Sequence, residues 1–344
     1  MTTVVDCSGV GPGGITRVLT AVVRHWPNGR QLTLVAVPAG WEPPAGTTAA
    51  VSVRSRQNGG RERTIAAATA ALRRETAGAG RVLSLSPSLA IVGSRAPVTT
   101  IVHDLAFRLW PRGLGAAQLH YRRVSYGTAI ARSARLLCVS ARTLHDLSGL
   151  YDETAARADV WHPGSDYECA PGPSPVSGRY LLVAGHAPHK GVELAIEALP
   201  DLPGYTLAVL TGGTPVASFA DAARRSAAAD RVLFLDRLDD AAYVATVAGA
   251  AAFLMPSHFE GYGLPAAEAL ALGTPTVISP DPALLEATGG AAVRMTTWSA
   301  PALAAATTAA LTGPRPAPRP GRSWRDATAE LVALLDGEPA EAGR

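Results

Sequence analysis

The chain has 344 residues, enough for two domains of ordinary size. With 47% hydrophobic and 17% charged residues it can bury globular cores, and no apolar run reaches the length that spans a bilayer. Net charge is +3, but residues 1–168 carry +8 and residues 169–344 carry −5, so the first half could attract an anionic partner or simply carry solubilising arginines.

The start, "MTTVVDCSGV", lacks a basic leader and reads as a first strand. Cys7, Cys138 and Cys169 are too far apart for a zinc site or a disulfide framework, so a reducing, cytoplasmic setting is expected. Apolar runs predict strands at 3–8, 31–37, 49–53, 81–86, 98–104, 135–140 and 158–162, with helices at 15–26, 62–76, 115–133 and 141–150 between them. Pro, Gly and Ser then cluster around "HPGSDYECAPGPSPVSGR", which marks a linker. The alternation resumes with strands at 180–184, 206–210, 231–235, 251–256, 274–278 and 291–295, and a last helix is expected at 323–335. Apolar strands alternating with helices are the pattern of doubly wound parallel sheets, whose ligands bind at the carboxyl ends of the strands.

Gly9, Gly11 and Gly14 in "VVDCSGVGPGGITRVL" fit a G-x-G-x-x-G turn between a strand and a helix. A dinucleotide site also needs an acid at the end of the second strand to hold the ribose. "QLTLVAV" ends in Pro38-Ala39-Gly40, so NAD is disfavoured. A tight turn, or a turn whose backbone approaches another ligand, both remain.

The most specific stretch is "MPSHFEGYGLPAAEALALGTPTVIS". After the strand at 251–256, Glu260 begins a loop, Glu260-Gly261-Tyr262-Gly263-Leu264, and Pro265 suits a helix start. Amides at such a helix start bind anions, while carboxylates accept from sugar hydroxyls, so Glu260 and Glu268 around this turn suit a phosphorylated sugar. Equally, Glu268 could complement the helix dipole and Glu260 could be solvated.

Glu260 and Glu268, with seven residues between them, resemble the E-x7-E motif of retaining glycosyltransferase family 4, among the group 1 glycosyltransferases. "GPGGITRVL", "TIVHDLAFRLWP", "LLCVSARTLHDL" and "WHPGSD" resemble further segments of that family. The resemblance implies a GT-B fold, α/β with two doubly wound Rossmann-like domains facing across a cleft. It implies an acceptor-binding domain at 1–170, a nucleotide-sugar donor domain at 171–320, and a C-terminal helix at 321–344 packing back toward the first. By position, Glu260 would hold the transferred sugar and Glu268 the ribose. Gly261, Tyr262, Gly263 and Leu264 would receive sugar and phosphates through their backbone. His103 would meet the donor sugar, and Gly13 and Gly14 its phosphates. The adjacent Asp104 could fix the His103 tautomer.

Of 31 basic side chains only Lys190 is lysine, in "VAGHAPHKG". It falls at the family's phosphate-binding position, where a compact ammonium meets several phosphate oxygens. Many members carry an arginine shortly before this lysine, and Gly185 stands at that place. Arg17, and after it His186, are the candidates to supply the missing cation. The implied chemistry is metal-independent hexosyl transfer with retention, with no cofactor beyond the nucleotide sugar. GDP-mannose is the first guess, with UDP- or dTDP-sugars as alternatives. The acceptor would be a small molecule, a glycan or a lipid-linked group. No nucleic acid is implied and at most peripheral membrane contact. A non-catalytic nucleotide-sugar binder and a GT-B nucleotide-sugar epimerase are the competing readings.

Overall fold

The structure, a computed structural model, describes residues 2–11, 13–78, 80–167, 169–213, 216–319 and 321–337. The chain forms two compact units, Met1–Gly164 with Arg322–Arg344, and Ser165–Gly321.

In the first unit the strands are β1 (Thr2–Asp6), β2 (Gln31–Val35), β3 (Ala50–Val53), β4 (Arg81–Ser84), β5 (Val98–Val102), β6 (Arg135–Cys138) and β7 (Ala158–Val160). They lie in the order β3-β2-β1-β4-β5-β6-β7, and every pairing is parallel. The second unit holds β8 (Tyr180–Ala184), β9 (Thr206–Leu210), β10 (Val232–Leu235), β11 (Ala252–Met255), β12 (Thr276–Ile278) and β13 (Val293–Arg294), parallel in the order β10-β9-β8-β11-β12-β13. Both sheets therefore reverse direction beside their first strand, β1 against β4 and β8 against β11. The loops after those strands form the switch-point crevice of each unit.

Both faces of the second sheet are covered, because alternate residues of one strand point to opposite sides. Leu181 and Val183 of β8 join Leu207, Val209 and Leu254 in one core. Tyr180 and Leu182 join Ala208, Phe253 and Met255 in the other. Such double burial explains the near-continuous apolar strands.

Several strands of the first sheet end two residues earlier than the apolar runs suggest, because the last residues turn away to build loops. After β1, for example, the Asp6 carboxylate accepts from the Ser8 amide at 3.0 Å and from Ser84 Oγ at 2.9 Å. The carboxyl is buried, and burial raises its pKa against those lowering hydrogen bonds.

The helix Trp324–Leu335 belongs to the first unit. Trp161 Nε1 donates to the Ala327 carbonyl at 2.8 Å, and a side chain at Gly164 would collide with the Trp324 backbone at 2.6 Å. At the helix end, Asp336 pairs with Arg81 at 2.6 Å and with Arg30 at 2.8 Å. Partial burial pushes the Asp336 carboxyl up, but hydrogen bonds from Arg81 and Arg30 outweigh it and leave the pKa below its usual value. A depressed carboxyl contributes stability above its unfolded pKa and loses it as pH falls through the folded one. Asp336→Asn is therefore expected to lower the melting temperature at pH 7, with parent and variant converging as the pH is taken below 4 (about the unfolded aspartate pKa). A gap that stays constant from neutral to acid pH would exclude this ion pair as its source.

Among the described residues, no helix is long and apolar enough to cross a membrane.

Candidate active site

The sequence-predicted residues divide between the units: Gly13, Gly14, Arg17 and His103 in the first, and Gly185, Lys190, Gly261, Tyr262, Gly263, Leu264, Glu260 and Glu268 in the second.

In the second unit two loops meet at the β8–β11 switch point. The loop after β8 closes in a short turn, Pro188–Lys190, and Gly191 (φ 71°) starts the helix Val192–Ala198. A Cβ at Gly191 would sit 2.2 Å from the Pro256 carbonyl oxygen, so glycine is required there by both conformation and space. The loop after β11 is joined to it: the His258 amide donates to the His189 carbonyl at 2.7 Å. Trp298 stacks on His258 and donates to the Pro256 carbonyl at 2.6 Å. Asp281, which caps the helix Pro282–Thr288 through Ala283 N at 2.8 Å, also accepts from the Glu260 amide at 3.3 Å.

These anchors bring Lys190 and Glu260, seventy residues apart in sequence, into a two-oxygen contact. Lys190 Nζ lies 2.9 and 2.7 Å from the two carboxylate oxygens. The Glu260 side chain is only 6% exposed, against 22% for Lys190, so the ammonium reaches solvent and the carboxylate depends on it. Gly263 (φ 104°) caps the helix Leu264–Ala271, and a Cβ there would strike Leu284 at 2.4 Å. The loop glycine thus lets the helix start pack tightly on Leu284.

Gly185 now has a physical explanation. A Cβ at this position would lie 2.4 Å from Lys190 Cβ and 2.9 Å from Lys190 Cγ. The lysine stem occupies the space an arginine there would need. Gly185→Ala is expected to cost about 1–3 kcal/mol of stability by overpacking and to displace the ammonium. Unfolding in denaturant measures the first effect, and loss of donor affinity the second. A variant as stable as its parent would show that the stem can move aside.

In the ligand-free protein His186 is disfavoured as the second cation. Burial, then the neighbouring Lys190 charge, lower its pKa, outweighing the opposite pull of Glu260. The ring is therefore neutral near pH 7.

Glu268 is buried, one turn further along the same helix. Its Oε2 accepts from Tyr167 Oη and from Tyr243 Oη, both at 3.0 Å, and the two rings lie 5.5 Å apart. The carboxylate is thus held in one orientation from two other segments of the unit.

Residues 173–314 match the family described as "Glycosyl transferases group 1". Over most of its length the second unit is similar in sequence to the group 1 glycosyl transferases. The chain is 31% identical over 226 residues to the glycogen synthase of Mycobacterium tuberculosis, covering 63% of this chain and 54% of the relative. It therefore spans about half the length of the curated relatives it matches. Among solved structures, sucrose-phosphate synthase from Thermosynechococcus elongatus superposes with a TM-score of 0.74 at 16% identity, over 98% of this chain and 97% of that one. HepE of Anabaena, in complex with UDP and glucose, gives 0.67 at 15% identity, over 97% and 99%. With its two parallel sheets of seven and six strands, the fold is GT-B.

In the second unit, sequence reasoning missed Tyr167 and Tyr243. Neither had a local signal: one lies in the Pro/Gly-rich linker, the other inside an ordinary alanine-rich helix. Among the described residues, no group of three or more His, Cys, Asp or Glu is arranged to hold a metal ion.

The first unit has its own crevice at the β1–β4 switch point. The glycine turn packs against the loop after β4, where a Cβ on Gly9 would approach Ser86 Cβ at 3.0 Å. Gly13 (φ 108°) caps the helix Gly14–His25, and Arg17 follows, half-buried, on its first turn. His103, half-buried after β5, places Nε2 2.8 Å from the Leu85 carbonyl. A carbonyl only accepts, so Nε2 carries the proton and Nδ1 is left as an acceptor. Burial lowers the His103 pKa despite the raising effects of that hydrogen bond and of Asp104. The tautomer is set by Leu85, not by Asp104, whose carboxylate instead accepts from the Ala106 amide at 2.9 Å.

The basic stretch "SVRSRQNGGRER" is tied down in its first part. Gln57 Nε2 donates to the Cys7 and Val10 carbonyls, each at 2.9 Å, and Arg56 donates to the Trp41 carbonyl at 2.6 Å. Gln57 thereby staples the glycine turn. Beside these loops lies a cavity of about 650 Å³, bordered by Gly9, Gly11, Gln57, His103 and the helix Ala116–Arg132.

Proposed function

We propose that the protein is a retaining glycosyltransferase that moves a hexosyl group from a nucleotide-diphosphate sugar to an acceptor hydroxyl. The donor is held by the second unit and the acceptor by the first. The observation that carries this reading is the Lys190–Glu260 contact at the switch point, directly before the Gly263-capped helix start. Cleavage of the sugar C1–O bond builds negative charge on a departing diphosphate. Lys190 and the amides of Gly261 to Leu264 are the groups that would stabilise it. On donor binding the ammonium would shift from Glu260 toward phosphate, freeing carboxylate oxygens to accept from sugar hydroxyls. Glu268, fixed by Tyr167 and Tyr243, would accept from the ribose. His103, neutral and with Nδ1 as an acceptor, would hydrogen-bond a hydroxyl of the donor sugar. Gly13, Gly14 and Arg17 would meet the phosphates.

The UDP and glucose bound by the Anabaena neighbour support UDP-sugars beside GDP-mannose and dTDP-sugars as donors. The test is incubation with that panel, following nucleotide release and the anomeric configuration of the product by NMR. Retention with one preferred nucleotide is expected. Inversion would overturn the stereochemical assignment. Binding of a nucleotide sugar with no release, with any acceptor offered, would favour a non-catalytic binder, the reading that the lack of an arginine at Gly185 supports.

A further inference from the structure

The cavity of the first unit is lined by two arginines, Arg61 and Arg122, and one carboxylate, Asp104. Other arginines of this unit pair with acids: Arg54 with Glu75, Arg81 with Asp336, Arg135 with Asp159 and Arg142 with Asp146. Among the described residues, Arg61 and Arg122 have no carboxylate within ion-pair distance. Asp104 is engaged by the Ala106 amide, and His103 is neutral, so the cavity lining is net positive. Arg61 is also held in place, since its guanidinium lies 4.5 Å over the Tyr121 ring. Tyr121 and Arg122 are consecutive on the helix Ala116–Arg132, and Ser125 fixes that helix to the loop after β4 through the Pro87 carbonyl at 3.0 Å.

We propose that this cavity recognises its occupant by an anionic group, a phosphate monoester on a small sugar or polyol. Arg61 and Arg122 are the anion-binding pair, and Tyr121 pre-orders Arg61. A guanidinium presents a planar fork that matches phosphate oxygens, and one already stacked on a ring loses less freedom on binding. A neutral glycan would instead cover two guanidiniums without supplying a counter-charge. The volume suits a small molecule. That the occupant is an acceptor rests on the glycosyltransferase reading; that it is anionic does not.

Calorimetric titration of the whole protein with glucose 6-phosphate, glucose and inorganic phosphate is the test. Glucose 6-phosphate is expected to bind at least about tenfold tighter than glucose, with inorganic phosphate competing. Arg61→Gln and Arg122→Gln are each expected to lose about tenfold, while Arg63→Gln, exposed and outside the cavity, binds like the parent. Equal affinity for glucose and its phosphate, or unchanged binding in both cavity variants, overturns the proposal. So does an equal loss in Arg63→Gln, which would reduce the effect to net charge. Vesicles containing phosphatidylinositol 4-phosphate form a separate arm, and binding to them but not to the soluble probes would place the phosphate on a lipid and overturn the small-molecule assignment. Nucleotide release from the sugar-nucleotide panel, measured on the parent without acceptor, tests the glycosyltransferase reading by itself. Its failure leaves the phosphate titration standing.

Discussion

Lys190→Ala is expected to lower kcat/KM for the preferred nucleotide sugar by about 10²–10³-fold, the usual cost of removing one group that stabilises developing negative charge. It should also destabilise the fold, because Glu260 is only 6% exposed and the variant strips away its counter-charge. Since the ammonium is partly in solvent, roughly 1–3 kcal/mol is expected, less than for a fully buried pair. The double variant Lys190→Ala/Glu260→Ala separates the two effects, as it removes the stranded carboxylate and should recover stability without recovering turnover. Lys190→Arg is the finer probe. The stem of residue 190 packs against Gly185, and a guanidinium is longer and flatter than the ammonium that now meets both Glu260 oxygens. Its turnover should fall at least about tenfold, so parental kinetics would show that any cation suffices.

The second large effect is expected at Glu268. Replacing it with glutamine keeps the shape but removes the charge, and donor affinity should drop about 10–100-fold if the carboxylate accepts from ribose hydroxyls. Tyr167→Phe and Tyr243→Phe keep the charge and release the carboxylate from one hydroxyl each. They should weaken the donor less than Glu268→Gln does, with a change in KM and little in kcat. Glu268→Gln that melts earlier yet binds UDP and GDP like the parent would make Glu268 a packing residue only.

How far these sites could be read from the sequence depends on the range of the interactions that build them. The strands of both units follow from apolar runs, and Gly263 and Pro265 announce a helix start, because period and backbone conformation are local properties. The E-x7-E spacing likewise places both glutamates around one helix start, since the few residues of loop and the single helical turn between them cannot carry them far apart. The dinucleotide alternative is disfavoured by the end of the second strand alone.

The sheet orders are another matter. Nothing local tells β8 to pair with β11 instead of β10, or that the loops carrying Lys190 and Glu260 would join there. Packing both apolar faces of a twisted sheet decides it, and with it the ion pair. The tyrosines on Glu268, the Gln57 staple on the glycine turn and the arginines around Asp336 are side chains whose types are common and whose partners lie far away in sequence. The same holds for Gly185: its sequence reads as a missing arginine, and only three dimensions show the lysine stem filling that space. By itself, then, the sequence determined the elements, the turns and the residue types offered at the strand ends. Tertiary packing decided which of those residues meet, because contact between distant segments depends on sheet order and shape, which no short window of residues encodes.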